Sequence, residues 1–62
     1  MEAVPKYKVG SNALYEGADD LLKEGRILSA APVNYTIYYQ IAGEKNFIHE
    51  DRIMDAEEVN IK

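Results

Sequence analysis

The chain contains no cysteine and no tryptophan, and it has one histidine, His49, among 62 residues. Without thiols, disulfides and thiolate metal sites are excluded. With a single imidazole, any metal cage would rest almost wholly on carboxylates. No cofactor and no metal are therefore expected. Long hydrophobic runs are missing as well. The longest span only a few residues, too few to cross a bilayer as a helix, and the opening MEAVPKYK has no apolar stretch of signal-peptide type. The expectation is a soluble intracellular domain with no membrane partner. A chain this short forms one domain at most, and its core supplies a margin of only ~3–5 kcal/mol.

Basic residues are also in deficit: eleven acidic side chains face seven basic ones, for a formal net charge of -4. Lys6, Lys8, Lys23, Arg26, Lys45, Arg52 and Lys62 are scattered along the chain. A duplex-binding domain carries a basic face that releases counterions from phosphate. Here the overall field repels nucleic acid and favours basic partners.

What the sequence does have is a concentration of aromatic residues. Residues 35–53, YTIYYQIAGEKNFIHEDRI, hold Tyr35, Tyr38, Tyr39 and Phe47, four of the six aromatic side chains. Tyr35 to Ile41 is the clearest strand, built of β-branched and aromatic residues. Alternation places Tyr35, Ile37, Tyr39 and Ile41 on one face and Thr36, Tyr38 and Gln40 on the other. Ala42 to Asn46 is a five-residue hairpin loop, Phe47 to His49 a returning strand, Glu50 to Arg52 a helical turn, and Ile53-Met54 a last strand.

Before that hairpin, Gly10 marks a turn, Asn12 to Glu16 a strand carrying Leu14, and Leu22 to Ser29 a strand bent at Gly25. Ala30 to Asn34 reads as a connection, because Pro32 cannot donate to a central ladder. Residues 1–8 form an extended arm, 9–54 a barrel and 55–62 an acidic tail. Short strands with frequent turns predict an all-β, small five-stranded barrel, whose closure leaves few open edges. The expected core is Val9, Leu14, Leu22, Ile27, Ile37, Tyr39, Ile41, Ile48 and Ile53.

Gly10 with Ala13-Leu14, then Lys23-Glu24-Gly25-Arg26-Ile27-Leu28, Tyr35-Thr36-Ile37-Tyr38-Tyr39-Gln40 and Asp51-Arg52-Ile53, resembles the chromo-barrel or Tudor-knot family. These are SH3-like barrels of chromatin proteins of the MRG and MSL type and of MYST acetyltransferases. The resemblance spans roughly residues 7–54. It implies a non-catalytic, nuclear interaction module that docks a protein partner or histone tail as part of a larger chain or complex. It also implies a methyl-lysine cage of aromatic faces, but the positions depart from that pattern. Lys23 stands where the family has a cage tyrosine, the tryptophan after the third strand is replaced by Ile41-Ala42-Gly43, and only Tyr39 matches.

Tyr39 is read either as a core residue with its hydroxyl at the rim or as part of an incomplete cage. That cage would use Tyr39 and Phe47 with Tyr15 or Tyr38, beside Glu44. Two alternatives stay open. One is RNA binding, with Tyr7 stacking on a base between Lys6 and Lys8; the acid balance disfavours it. The other is a purely structural barrel with no external ligand. His49 has no Ser-His-Asp or Cys-His setting and reads as a surface side chain paired to Glu50 or Asp51. Arg52 is expected to reach Glu24 or Glu16, and Asp19-Asp20 to be a solvated turn.

Overall fold

A computed structural model describes residues 4–59. It contains β1 (Asn12–Glu16), β2 (Leu22–Val33), β3 (Thr36–Ile41), β4 (Ile48–His49), a 3-10 turn (Glu50–Arg52) and β5 (Ile53–Asp55). The strands form one antiparallel sheet in the order β4-β3-β2-β1-β5. This is the expected all-β, five-stranded, SH3-like barrel. No helix among the described residues is long and apolar enough to cross a membrane.

Curvature comes from β2, which serves two halves of the sheet. Leu22 to Arg26 pair with β1, whereas Ile27 to Val33 pair with β3. Between these halves the register shifts around Leu28, which leaves that side chain half exposed at 48%. A bulge of this kind bends a strand and re-aims its side chains. Gly25 sits at the approach to the bend, as the sequence predicts. A Cβ there would lie 2.6 Å from Ile41 Cγ2 and 3.3 Å from the Ala42 carbonyl oxygen. Only glycine lets the two strands come this close.

Across the barrel interior, Ile27, Ile37, Tyr39 and Ile41 are buried, joined by Ile48 and Ile53. Three other expected core residues lie elsewhere. Val9 and Leu22 are exposed, and Leu14 is only half buried. Ala13 and Tyr15 take the inward positions of β1 instead. The cause is the pairing: Ala13 lies opposite Gly25 and Tyr15 opposite Lys23 and Ile53, so β1 turns its odd-numbered residues inward. A one-residue change of phase exchanges the faces of a whole strand.

The expected connection over Ala30–Asn34 is also corrected. Ala30 to Val33 continue β2, and Pro32 pairs with Ile37. Past Ile27 this part of β2 is laddered only to β3, so proline's missing N–H occurs on a strand with an open side, where it is tolerated. Val33 pairs directly with Thr36, leaving a two-residue turn in which Asn34 has φ +58°. Asparagine enters that left-handed region readily. Tyr35 therefore belongs to the turn rather than to the inward face, and it is 83% exposed.

Both flanking segments join the barrel. Tyr7 is buried in the core and bridges Glu58. The Lys8 N–H donates to the Glu57 carbonyl at 2.7 Å, and the Val59 N–H to the Lys6 carbonyl at 2.9 Å. The rest of the expected arm and tail, residues 1–3 and 60–62, lies outside the described residues.

Gly25→Ala tests the close approach at the bend. The added methyl must displace the fully buried Ile41 side chain, and overpacking of this kind costs about 1–3 kcal/mol. Urea unfolding should show that loss, and an unchanged midpoint would mean that the strands do not meet there.

Candidate functional site

The phase of β3 divides its tyrosines. Tyr39 points inward with no exposed surface, its ring centroid 6.0 Å from that of Tyr7. Its hydroxyl donates to Glu50 Oε2 at 2.5 Å and accepts the Lys6 and Tyr7 backbone N–H groups, each at 3.1 Å. Lys6 N–H also reaches Glu50 Oε2 at 3.1 Å. The buried end of the phenol is thus fully partnered, and Tyr39 offers no ring face to a ligand. Of the two readings of this residue, the core tyrosine is the one the structure supports.

Tyr15 behaves in the same way. Its ring is 2% exposed, and its hydroxyl donates to Glu44 Oε2 at 2.6 Å. Glu44 also lies 3.7 Å from Lys23 Nζ, which in turn is 3.3 Å from Asp19. Lys23 is therefore held by two carboxylates at the position where the resemblance implies a cage ring. Glu44 is committed to the fold at least as much as to any ligand.

Burial, and secondarily the bond to a carboxylate, pushes the Tyr15 and Tyr39 phenols up to about 12. Backbone donors to the Tyr39 oxygen oppose the shift without cancelling it.

Tyr38, one residue from Tyr39, faces outward and is half buried. It packs edge-on against the His49 ring at 5.1 Å. His49 Nδ1 accepts the Asp51 N–H at 3.0 Å, which leaves Nε2–H to donate to Thr36 Oγ1 at 2.8 Å. A neutral imidazole with its proton on Nε2 satisfies both bonds. His49 thereby caps the 3-10 turn and fixes the edge on which Tyr38 rests.

Two adjoining hollows share Tyr38 and Phe47. One, of about 270 Å³, is lined also by Ala18, Glu44, Asn46, Ile48, His49 and Arg52. The other, of about 380 Å³, is completed by Ala31 and Val33. Arg52 is placed by the Gly17 carbonyl at 3.1 Å and by Asp20 at 3.5 Å, not by Glu24 or Glu16 as expected. Asp19 accepts the Leu21 N–H and Asp20 adopts φ +62°, so this pair is a turn that also carries charge partners.

Of the expected binding residues, then, Tyr38, Phe47 and Glu44 meet at one place. Tyr15 reaches that place only through its hydroxyl, and Tyr39 is walled off from it. Ala31, Val33, His49 and Arg52 were not anticipated there. The alternation Ala31, Val33 is a usable signal, masked in the sequence by the intervening Pro32. Tyr7, considered for base stacking, is 7% exposed, with Lys6 Nζ 5.3 Å from its ring centroid. It has no open face for a base.

Compared with protein-family models, with curated proteins and with solved structures, the chain finds no match among any of them.

The two raised phenols generate a pH prediction. In the unfolded chain a tyrosine loses its proton near pH 10, whereas the folded state holds Tyr15 and Tyr39 protonated to about 12. Stability should be complete below pH 10 and fall between pH 10 and 12, where the native state binds more protons. Urea unfolding across this window should show the decline, and Tyr15→Phe should roughly halve its slope. An unaltered slope in that variant would refute the assignment.

Proposed function

We propose that this chain is a non-catalytic interaction module that docks a protein partner through the outward face shared by β2, β3 and β4. The observation that carries the reading is the pairing of half-exposed Tyr38 with Phe47, 49% exposed, along two adjoining hollows. Half-exposed aromatic side chains with polar neighbours are the usual anchors of protein interfaces. The chromatin setting, the nucleus and a histone tail as the partner rest on the resemblance to chromo-barrel proteins in residues 7–54. The module is proposed to work as one part of a larger chain or complex.

A methyl-lysine cage needs several aromatic faces around one cation. Tyr15 and Tyr39 are turned into the core, and Tyr38 and Phe47 leave at most two aromatic faces at the hollows. Docking is therefore proposed to be indifferent to lysine methylation. RNA is the weaker reading, given the net charge of -4 and the burial of Tyr7.

Titration of the isotope-labelled domain with histone-tail peptides, unmodified and trimethylated at lysine, tests this. Amide shifts should centre on Tyr38, Phe47 and His49, with affinities that agree within about twofold for the two peptides. A strong preference for the trimethylated form would overturn the methylation-independent reading. Shifts confined to Lys6–Lys8 on adding RNA, and abolished by salt, would replace protein docking by nucleic-acid binding.

A further inference from the structure

The proposed docking face has two chemically different halves. The hollow formed by Ala31, Val33, Tyr38 and Phe47 is bounded by aliphatic and aromatic side chains. Beside it, the hollow that reaches Glu44, Asn46, His49 and Arg52 is rimmed with charge. Tyr38 and Phe47 stand on the boundary. A segment crossing them would place an apolar side chain on one side and polar groups on the other.

The sign of the polar side follows from its neighbours. Glu44 lines it, Asp20 contacts Arg52 at 3.5 Å, Asp51 lies 3.7 Å from His49, and Asp19 lies 3.3 Å from Lys23. Opposing these four carboxylates are Lys23 and Arg52, with Lys45 between Glu44 and Asn46. Carboxylates are in excess by one, the same sign as the chain's net charge of -4. The exposed ones, such as Asp51 at 90% side-chain exposure, remain available to a cation.

A second copy of the chain fits poorly. It would bring the same negative field against itself, and four apolar side chains fall well short of the roughly 800 Å² per partner that a stable interface uses. Pairing along β4 is limited too, since that strand has two residues. A short segment with its own positive charge avoids all three difficulties.

We infer that the face takes a short peptide segment in which one bulky aliphatic residue is flanked by lysine or arginine. The inference rests on the docking reading above. The aliphatic side chain enters the hollow of Ala31, Val33, Tyr38 and Phe47. The flanking cations lie toward the exposed Asp20 and Asp51, an arrangement that adds selectivity and encounter rate more than strength.

Three synthetic peptides separate the components: one leucine flanked by lysine and arginine, the same with glutamate flanks, and the basic peptide with Leu→Ser. Titrated into the labelled domain, the first should shift Val33, Tyr38 and Phe47, and weaken several-fold between about 50 and 300 mM salt. The other two should bind about tenfold more weakly or worse. Phe47→Ser, at an exposed position, should leave the spectrum folded and reduce binding of the first peptide about tenfold. Equal binding of the glutamate-flanked peptide would overturn the charge assignment while leaving protein docking in place. Equal binding of the Leu→Ser peptide would show attraction by charge alone and overturn the aliphatic subsite. Silence toward all three, with concentration-dependent dimerisation by sedimentation, would overturn both this inference and the docking reading.

Discussion

The anchoring of Tyr39 sets the phase on which the outer surface depends. Neighbouring side chains on a strand point to opposite faces. Tyr39 is fixed inward by complete burial and by three hydrogen bonds at its hydroxyl, to Glu50 and from the Lys6 and Tyr7 backbones. Tyr38 is consequently fixed outward, opposite Ala31 on β2 and His49 on β4. A buried phenol that lost these partners would leave polar groups unsatisfied, a large cost for a domain of this size. The same hydroxyl joins three parts of the chain: the segment at Lys6-Tyr7, β3 and the 3-10 turn.

That constraint also explains why a barrel with several tyrosines lacks an open aromatic box. Tyr7, Tyr15 and Tyr39 fill space that the isoleucines alone would leave, and two of their hydroxyls end on carboxylates at the rim. Glu44 and Glu50 act here as fold-closing acceptors. The aromatic surface left outside consists of Tyr35 in the turn before β3, Tyr38 on β3 and Phe47 in the β3–β4 loop.

Much of the architecture was legible from residues 36–41, whose alternation is unambiguous, and from Gly25, whose position in an otherwise strand-like run signals close approach. Other parts were not, for physical reasons. Pro32 signals an interruption only on a central strand, whereas β2 has an open side at that point. Leu14 and Leu22 carry the hydrophobicity of core residues, but strand pairing and not hydrophobicity decides which side chains point inward. The register with β2 and β5 instead selected Ala13 and Tyr15. Contacts across more than thirty positions, such as Tyr39 with Lys6 and Tyr7, leave no local pattern in the chain. The candidate site was legible in Tyr38, Glu44 and Phe47. Its aliphatic wall and its charged rim came into view only with the topology.

The central claim is the division of the tyrosines between interior and surface, and photochemically induced nuclear polarisation reads it directly, because only rings accessible to the dye respond. Tyr35 and Tyr38 should give signals, and Tyr7, Tyr15 and Tyr39 should give none. Emission from Tyr39 or Tyr15, or silence at Tyr38, would contradict the account.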